Sequence, residues 1–290
     1  MKYCVVFGAP RSGTTYLQKA LTCLQGTEGV IGQLIPVVTF HLANQDLCSQ
    51  TYQSLCGSLR RGIDIYLSGE YNSRFRALER WSRAPLQWRR LRHVLRRGSR
   101  ARPDWFIYKE PFLSFKPEFA IDALPEAQVI YIYRDGRDVA NSLVESYDVL
   151  TDRELIHLQG AEMRLGRPYD ERYVPWWVPE GRDAEFIESP PYVRAIWMWA
   201  YMVQRCRRYF QDLDVSDQIL KVQYETFMRE PHRVGGRILD HLDKRNTRAF
   251  RRHLDRARTS SIGKYKQRPR AEIDAALEIA GDALAKLGYG

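Results

Sequence analysis

The sequence predicts an α/β protein, a parallel sheet flanked by helices with mostly helical insertions, and three observations carry that prediction. Lys2–Phe7 is a run rich in valine and aromatic residues that glycine closes at once. Three later apolar runs share its character, and helical patterns separate all four. Alternation of this kind favours parallel strands covered by helices on both faces.

In chain order, KYCVVF alternates loosely and suits a buried first strand. Residues 14–24 follow with Leu17, Leu21 and Leu24 at helical spacing. Residues 105–108 and Gln128–Tyr133 (QVIYIY) read as further parallel strands, and residues 218–222 (QILKV) as a fourth. Two stretches read as insertions. Residues 36–104 are helical in pattern, and between Arg74 and Arg102 arginine is abundant while Glu79 is the only acid. Residues 149–188 are rich in proline and aromatics, and regular structure throughout them is not expected. With no internal repeat or low-complexity tail, residues 1–290 are expected to form one domain carrying both elaborations.

The turn after the first strand is Gly8-Ala9-Pro10-Arg11-Ser12-Gly13-Thr14-Thr15, close to the phosphate-binding pattern G-x-x-x-x-G-K-[ST]. Both glycines are in place, but Thr14 stands where the lysine belongs, and a cation, Arg11, appears three residues earlier. Backbone N–H groups and the positive end of the following helix cradle an anion in such a loop. The missing lysine normally reaches β- and γ-phosphates. A ligand with a single 5′-linked phosphate and a reactive group attached fits this loop better than a triphosphate.

QVIYIYRDGRDVANS supplies a second anchor: a strand, Arg134 at its carboxyl end, and a helix begun by Asp135. Ligands of parallel sheets bind beyond the carboxyl ends of the strands, so Arg134 and the first loop should share one crevice. Ser142, close to two helical turns past Asp135, projects from the same side. Arg134 and Ser142 could hold a second phosphate. The same two residues are equally compatible with Arg134 paired to Asp135 or Asp138 and Ser142 facing water.

A net charge of +10 points to an anionic partner without separating nucleic acid, phospholipid and nucleotide. The five cysteines lack the spacing of a zinc site and are expected to be reduced thiols, several of them buried. No apolar run approaches the length of a membrane span, and the loop at Gly8 leaves no room for a signal peptide, which gives a cytoplasmic reading.

PRSGTT after the first strand and YRDGRDVANS later resemble the 5′-phosphosulfate loop and the 3′-phosphate motif of sulfotransferases that use 3′-phosphoadenosine-5′-phosphosulfate (PAPS). Lys109-Glu110-Pro111-Phe112 is similar to the Lys-Asp-Pro-Phe segment of tyrosylprotein sulfotransferases, Tyr224-Glu225 to the family's Tyr-Glu motif, and SSIGKYK (residues 260–266) to its closing loop. The resemblance implies a P-loop sulfotransferase-like fold and an enzyme that moves a sulfuryl group from PAPS to a hydroxyl or amine, releasing 3′,5′-adenosine bisphosphate. It implies that the amides of Ser12, Gly13, Thr14 and Thr15 hold the 5′-phosphate and that Arg11 meets the sulfuryl group. Arg134 and Ser142 would hold the 3′-phosphate, with Tyr224 nearby and Ser260 or Ser261 and Lys264 closing over it. No catalytic metal is expected, since the donor has no β- or γ-phosphate.

Sulfuryl transfer is an in-line displacement in which charge grows on the bridging and equatorial oxygens, and Arg11, Lys109 and the Thr14 and Thr15 hydroxyls are the expected stabilisers. The positions where relatives keep a general base hold Gln33 and Pro111 here. His41 is the first candidate for that role, followed by Glu110 and Glu28. The acceptor, a small molecule, glycan or lipid, is expected to meet Tyr173, Trp176 and Trp177. Of Trp197 and Trp199, two apart on a helix, at most one can join them. The arginine-rich segment could lie on anionic lipid or bind an anionic glycan, or be a solvated helix face. A nucleoside or small-molecule kinase would share the fold but needs the lysine that Thr14 replaces. A nucleic-acid-binding protein would explain the charge but not the two anchors, so no nucleic-acid partner is expected.

Overall fold

A computed structural model of the chain describes residues 1–29, 47–68, 103–147, 149–159, 166–212 and 216–290. Gln33, His41 and the whole arginine-rich segment from Arg74 to Arg102 lie outside the described residues. The chain runs β1 (Lys2–Phe7), α1 (Thr14–Leu21), β2 (Thr27–Gly29), α2 (Ser49–Ser68) and β3 (Trp105–Lys109). After a 3₁₀ turn at Pro111–Phe115 come α3 (Pro117–Ala123), β4 (Gln128–Tyr133), α4 (Gly136–Ser146) and α5 (Asp152–Gln159). A hairpin of β5 (Gly166–Tyr169) and β6 (Arg172–Pro175) leads to α6 (Asp183–Glu188) and the long α7 (Pro191–Asp212). The last elements are β7 (Ile219–Gln223), α8 (Tyr224–Arg229), α9 (Pro231–His241), α10 (Arg248–Leu254) and α11 (Arg270–Lys286).

Five strands form one parallel sheet in the order β2-β3-β1-β4-β7. The strand side chains alternate between faces, as the two-residue period of a strand requires. Cys4, Val6, Ile107, Ile130 and Ile132 pack with α1, α9 and α10 through Leu17, Leu21, Ile238 and Phe250. Tyr3, Val5, Phe7, Phe106 and Tyr131 pack on the other face with α2, α3 and α7. A third cluster binds α4, α7 and α11 around Val139, Leu143, Trp199, Met202 and Ala280. Central β1 is therefore covered on both sides, which explains why its sequence is apolar almost throughout.

The register aligns the carboxyl ends of the strands. Val6 pairs with Lys109, Phe7 with Tyr131, and Tyr133 with Gln223. Chain order reverses between β1, which pairs with β3, and β4, so the loops leaving β1 and β4 part there and open a crevice.

The strand β2 was absent from the sequence reading, and residues 149–188 hold more regular structure than their composition suggests: a helix, a hairpin and a second helix. The hairpin is tied by the Tyr173 hydroxyl, which donates to the Gly166 carbonyl at 2.7 Å and accepts from its N–H at 2.8 Å. The expectation that this region offers a flat aromatic surface is corrected for most of its members. Tyr173, Trp177, Trp197 and Trp199 are buried core residues, and Trp176 is half-buried against Phe115 and Tyr201. The cysteines are all free thiols, and Cys4, Cys56 and Cys206 are buried. No helix among the described residues is long and apolar enough to cross a membrane.

Candidate active site

The loop from β1 into α1 turns through three unusual backbone positions: Gly8 at φ 154°, Arg11 at φ 68° and Gly13 at φ 94°. At Gly13 the need for glycine is both conformational and steric, because a Cβ would stand 2.6 Å from the ring of Tyr224. The loop is anchored from outside: the Gly8 N–H donates to the Ser114 hydroxyl at 3.0 Å, and the Ser12 N–H donates back to the Ala9 carbonyl at 3.1 Å. Gly13 is the N-cap of α1 and offers no side chain to its first turn. Among the described residues, no acceptor takes the N–H groups of Gly13, Thr14 and Thr15, which open at the helix's positive end. The Ser12 hydroxyl is buried there without a hydrogen-bond partner.

Arg11 leaves this loop toward α4. Its Nε donates to Ser142 Oγ at 2.9 Å and an Nη to Ser146 Oγ at 3.2 Å, while the guanidinium lies 5.4 Å from the centre of the Tyr147 ring. Arg134, at the end of β4, is 4% exposed. One Nη donates to the Arg11 carbonyl at 3.0 Å and the other to the Ser261 carbonyl at 2.5 Å, leaving Nε buried without a partner. The Arg134 guanidinium sits 4.6 Å from the centre of the Tyr224 ring, whose hydroxyl is 3.0 Å from Ser261 Oγ. Arg134 and Ser142 each grip Arg11, one at its carbonyl and the other at its side chain. Asp138 is 3.8 Å from Arg134, whereas Asp135 pairs with Arg137 and caps α4 through the Arg137 N–H at 2.9 Å.

The closing loop at residues 259–266 is docked by Asp138, whose carboxylate accepts from the N–H groups of Gly263 at 2.7 Å and Tyr265 at 3.1 Å. Arg137 lies 4.4 Å from the centre of the Tyr265 ring. Ser261 thereby joins the network, while Ser260 and Lys264 are exposed on the same loop. Behind the loop, Glu225 accepts from the Asp135 N–H at 3.1 Å and from the Tyr289 hydroxyl at 2.6 Å. Burial raises its carboxyl above the ordinary range.

Lys109 is half-buried at the carboxyl end of β3, and burial lowers its ammonium below the usual lysine range, with Lys19 acting in the same direction. Glu110 is fully buried and accepts from the Tyr108 hydroxyl at 3.1 Å; Glu28 is half-buried on β2. Three contributors escaped the sequence reading of the site: Ser114, Asp138 as the dock of the closing loop, and Tyr289. The carboxyl edge therefore gathers Arg11, Ser12, Gly13, Thr14, Thr15, Lys109, Arg134, Tyr224 and Ser261 from segments far apart in sequence, with Ser142 on α4 beside them.

A glycine-bracketed strand-to-helix loop at the switch point of a parallel sheet, braced by Arg134, has the form of a phosphate-loop α/β protein. Residues 4–163, more than half of the chain, match the model of the sulfotransferase family, and the chain belongs to that family. Solved structures share the architecture. The sulfotransferase domain of the Synechococcus PCC 7002 olefin synthase is 17% identical, with a TM-score of 0.51 over 97% of this chain and 94% of that one. The sulfotransferase domain from the curacin biosynthetic pathway is 15% identical, with a TM-score of 0.54 over 100% and 98%. A sulfotransferase from Alicyclobacillus acidocaldarius is 16% identical, with a TM-score of 0.50 over 99% and 94%. At these identities the likeness is one of fold. Among curated proteins, no sequence match is found.

Proposed function

We propose that this protein transfers a sulfuryl group from PAPS to a hydroxyl or amine of a small-molecule, glycan or lipid acceptor. The observation that carries the reading is the lysine-free loop bound to a second cationic anchor: Arg134 holds the Arg11 carbonyl, and Ser142 holds the Arg11 guanidinium. One phosphate at the loop and another beside Arg134 match the 5′- and 3′-phosphates of such a donor. The residues fit the group. The unpaired N–H groups of Gly13, Thr14 and Thr15, the unpartnered Ser12 hydroxyl and the unpartnered Arg134 Nε are the donors this edge offers an anion. A kinase reading is disfavoured because Thr14 is buried where a phosphate-loop lysine would extend.

When bound, the donor supplies an activated sulfuryl group joined to its 5′-phosphate. The chain's own residues do the rest. The N–H groups of Gly13, Thr14 and Thr15 hold the 5′-phosphate, and the Arg134 guanidinium, Ser142 and the docked Ser261 loop orient the 3′ end. Arg11 and Lys109 supply positive charge where negative charge develops, and the Arg11 side chain must leave Ser142 or share it to do so. Because burial favours the neutral form of Lys109, its cation responds strongly to a nearby anion. For the acceptor proton, His41, Glu110 and Glu28 remain the candidates, of which Glu110 is fully buried and Glu28 half-buried. Of Tyr173, Trp176 and Trp177, only Trp176 is half-buried rather than buried, which makes it our candidate to touch an acceptor.

Incubation with radiolabelled PAPS and panels of phenols, sugars and hydroxylated lipids tests the reading. Label should move to at least one panel in the presence of EDTA. Transfer of labelled γ-phosphate from ATP instead, with none from PAPS, would replace it with the kinase reading.

A further inference from the structure

The strongest charged surface outside the crevice lies on and around α10. Arg245, Arg248, Arg251, Arg252, Arg256 and Arg258 are all exposed, and among the described residues none of their guanidinium groups has a hydrogen-bond or ion-pair partner. Arg248, Arg251 and Arg252 stand at i, i+3 and i+4, so they share one face of the helix, while Phe250 and Leu254 bury the opposite face. The one acid within this stretch, Asp255, is engaged by His232 at 3.0 Å. Like charges at these spacings repel, although Arg251 and Arg252 stand in the last turn, where the negative end of the helix favours them. No exposed large apolar or aromatic residue interrupts the stretch, which lacks the greasy face of a membrane-binding helix and the stacking platforms of a single-strand binder.

The position of this surface gives it a use. The Tyr16 hydroxyl, in the first turn of α1, donates to the carbonyls of His253 at 3.1 Å and Leu254 at 3.3 Å, and a His253 ring nitrogen is 3.1 Å from the Tyr16 carbonyl. The helix that carries the arginines is thereby pinned to the first turn of α1, directly after the phosphate loop. Past Arg256 and Arg258 the chain enters the closing loop, whose Ser261 carbonyl Arg134 holds.

We propose that this arginine face is an electrostatic funnel that draws the polyanionic nucleotide donor to the crevice, accelerating capture without contacting the bound ligand. The proposal rests on the donor reading above. Charges of one sign around a cleft raise the association rate by about ten- to a thousandfold, an effect that falls steeply with ionic strength. Direct contacts, in contrast, govern dissociation.

The test is stopped-flow association of a fluorescent 3′,5′-adenosine bisphosphate with the intact chain. Three variants are compared: the triple substitution of Arg248, Arg251 and Arg252 by Glu, the same three by Gln, and a control triple, Lys2→Glu, Arg61→Glu and Arg208→Glu. The control carries the same change of net charge on other exposed faces. At about 0.01 M ionic strength, where charges act over about 30 Å, the Glu triple should slow association about tenfold or more, with dissociation within about twofold of wild type. The Gln triple should fall between, the control should lose much less, and all differences should vanish near about 1 M salt. Equal slowing by the control, or an effect confined to dissociation, overturns the funnel while leaving the donor reading intact. Failure of the wild-type chain to bind the bisphosphate overturns both.

Discussion

Arg134 and Arg11 are joined side chain to backbone: an Arg134 Nη donates to the Arg11 carbonyl at 3.0 Å, and Arg11 holds the left-handed φ of 68° that turns this carbonyl toward it. A non-glycine residue at such a φ is strained by about 1 kcal/mol, and the bond from a buried guanidinium stabilises it. Backbone and side chain of Arg11 can therefore be tested apart. Arg11→Gly keeps the turn and relieves the strain, so the melting temperature should stay at or slightly above wild type. Sulfuryl transfer should drop about a hundredfold or more as the cation is lost. A clear fall in melting temperature would show that the side-chain bonds to Ser142 and Ser146, rather than the turn, hold the loop.

Arg134→Lys should fail where a simple charge requirement would let it succeed. One ammonium cannot span the carbonyls of Arg11 and Ser261, which the two Nη groups reach together. We expect both Arg134→Lys and Arg134→Ala to lose about 1–3 kcal/mol of stability in denaturant melts, and at least tenfold in affinity for 3′,5′-adenosine bisphosphate by calorimetry. Wild-type affinity in the lysine variant would reduce Arg134 to a point charge.

Gly13→Ala is expected to abolish nucleotide binding and to lower the melting temperature. The new Cβ would meet the Tyr224 ring at 2.6 Å, and φ 94° is unfavourable for alanine. Pairing it with Tyr224→Ala removes the clash but not the backbone strain, so the double variant should recover part of the stability and none of the binding. Full recovery in the double variant would assign the whole effect to the ring.

Glu225 links the end of the chain to the Arg134 turn, through the Tyr289 hydroxyl and the Asp135 N–H. Burial lifts its carboxyl above the ordinary value of 4.5, against the opposing hydrogen bonds from Tyr289 and Asp135. The folded chain then keeps this proton to higher pH than the unfolded chain. Its contribution to stability is full below 4.5 and is lost as pH rises through the raised folded value. Glu225→Gln, which keeps a neutral group able to bond both partners, should flatten this part of the stability profile in thermal melts. An unchanged slope in the Gln variant would move the titration to another group.

Much of this site was legible because its signals are local. A strand, a glycine pair and a helix start within fifteen residues announce an anion loop, and Arg134 follows directly from the end of QVIYIY. What escaped depends on distant partners. Asp138 looks like an ordinary acid in the first turn of a helix, and only the fold brings the N–H groups of Gly263 and Tyr265 to it. Strand β2 is three residues, TEG, with no apolar run, and pairing with β3 makes it a strand. The sequence leaves open which of Trp197 and Trp199 is buried, and nothing local says that Trp199 fills the space left by Gly136, where a Cβ would come within 2.4 Å of the indole. For Arg11 the resemblance implies contact with the sulfuryl group, and only the fold brings the Ser142 and Ser146 hydroxyls, one helical turn apart, to its guanidinium.

The measurement that bears most directly on the donor reading is calorimetric titration of the chain with 3′,5′-adenosine bisphosphate and, separately, with ATP and Mg²⁺. The lysine-free loop and the Arg134 anchor predict a bisphosphate Kd in the low micromolar range or tighter, unchanged by EDTA, and at least about a hundredfold weaker binding of ATP. Tight binding of ATP that requires Mg²⁺, with no heat from the bisphosphate, would contradict the account.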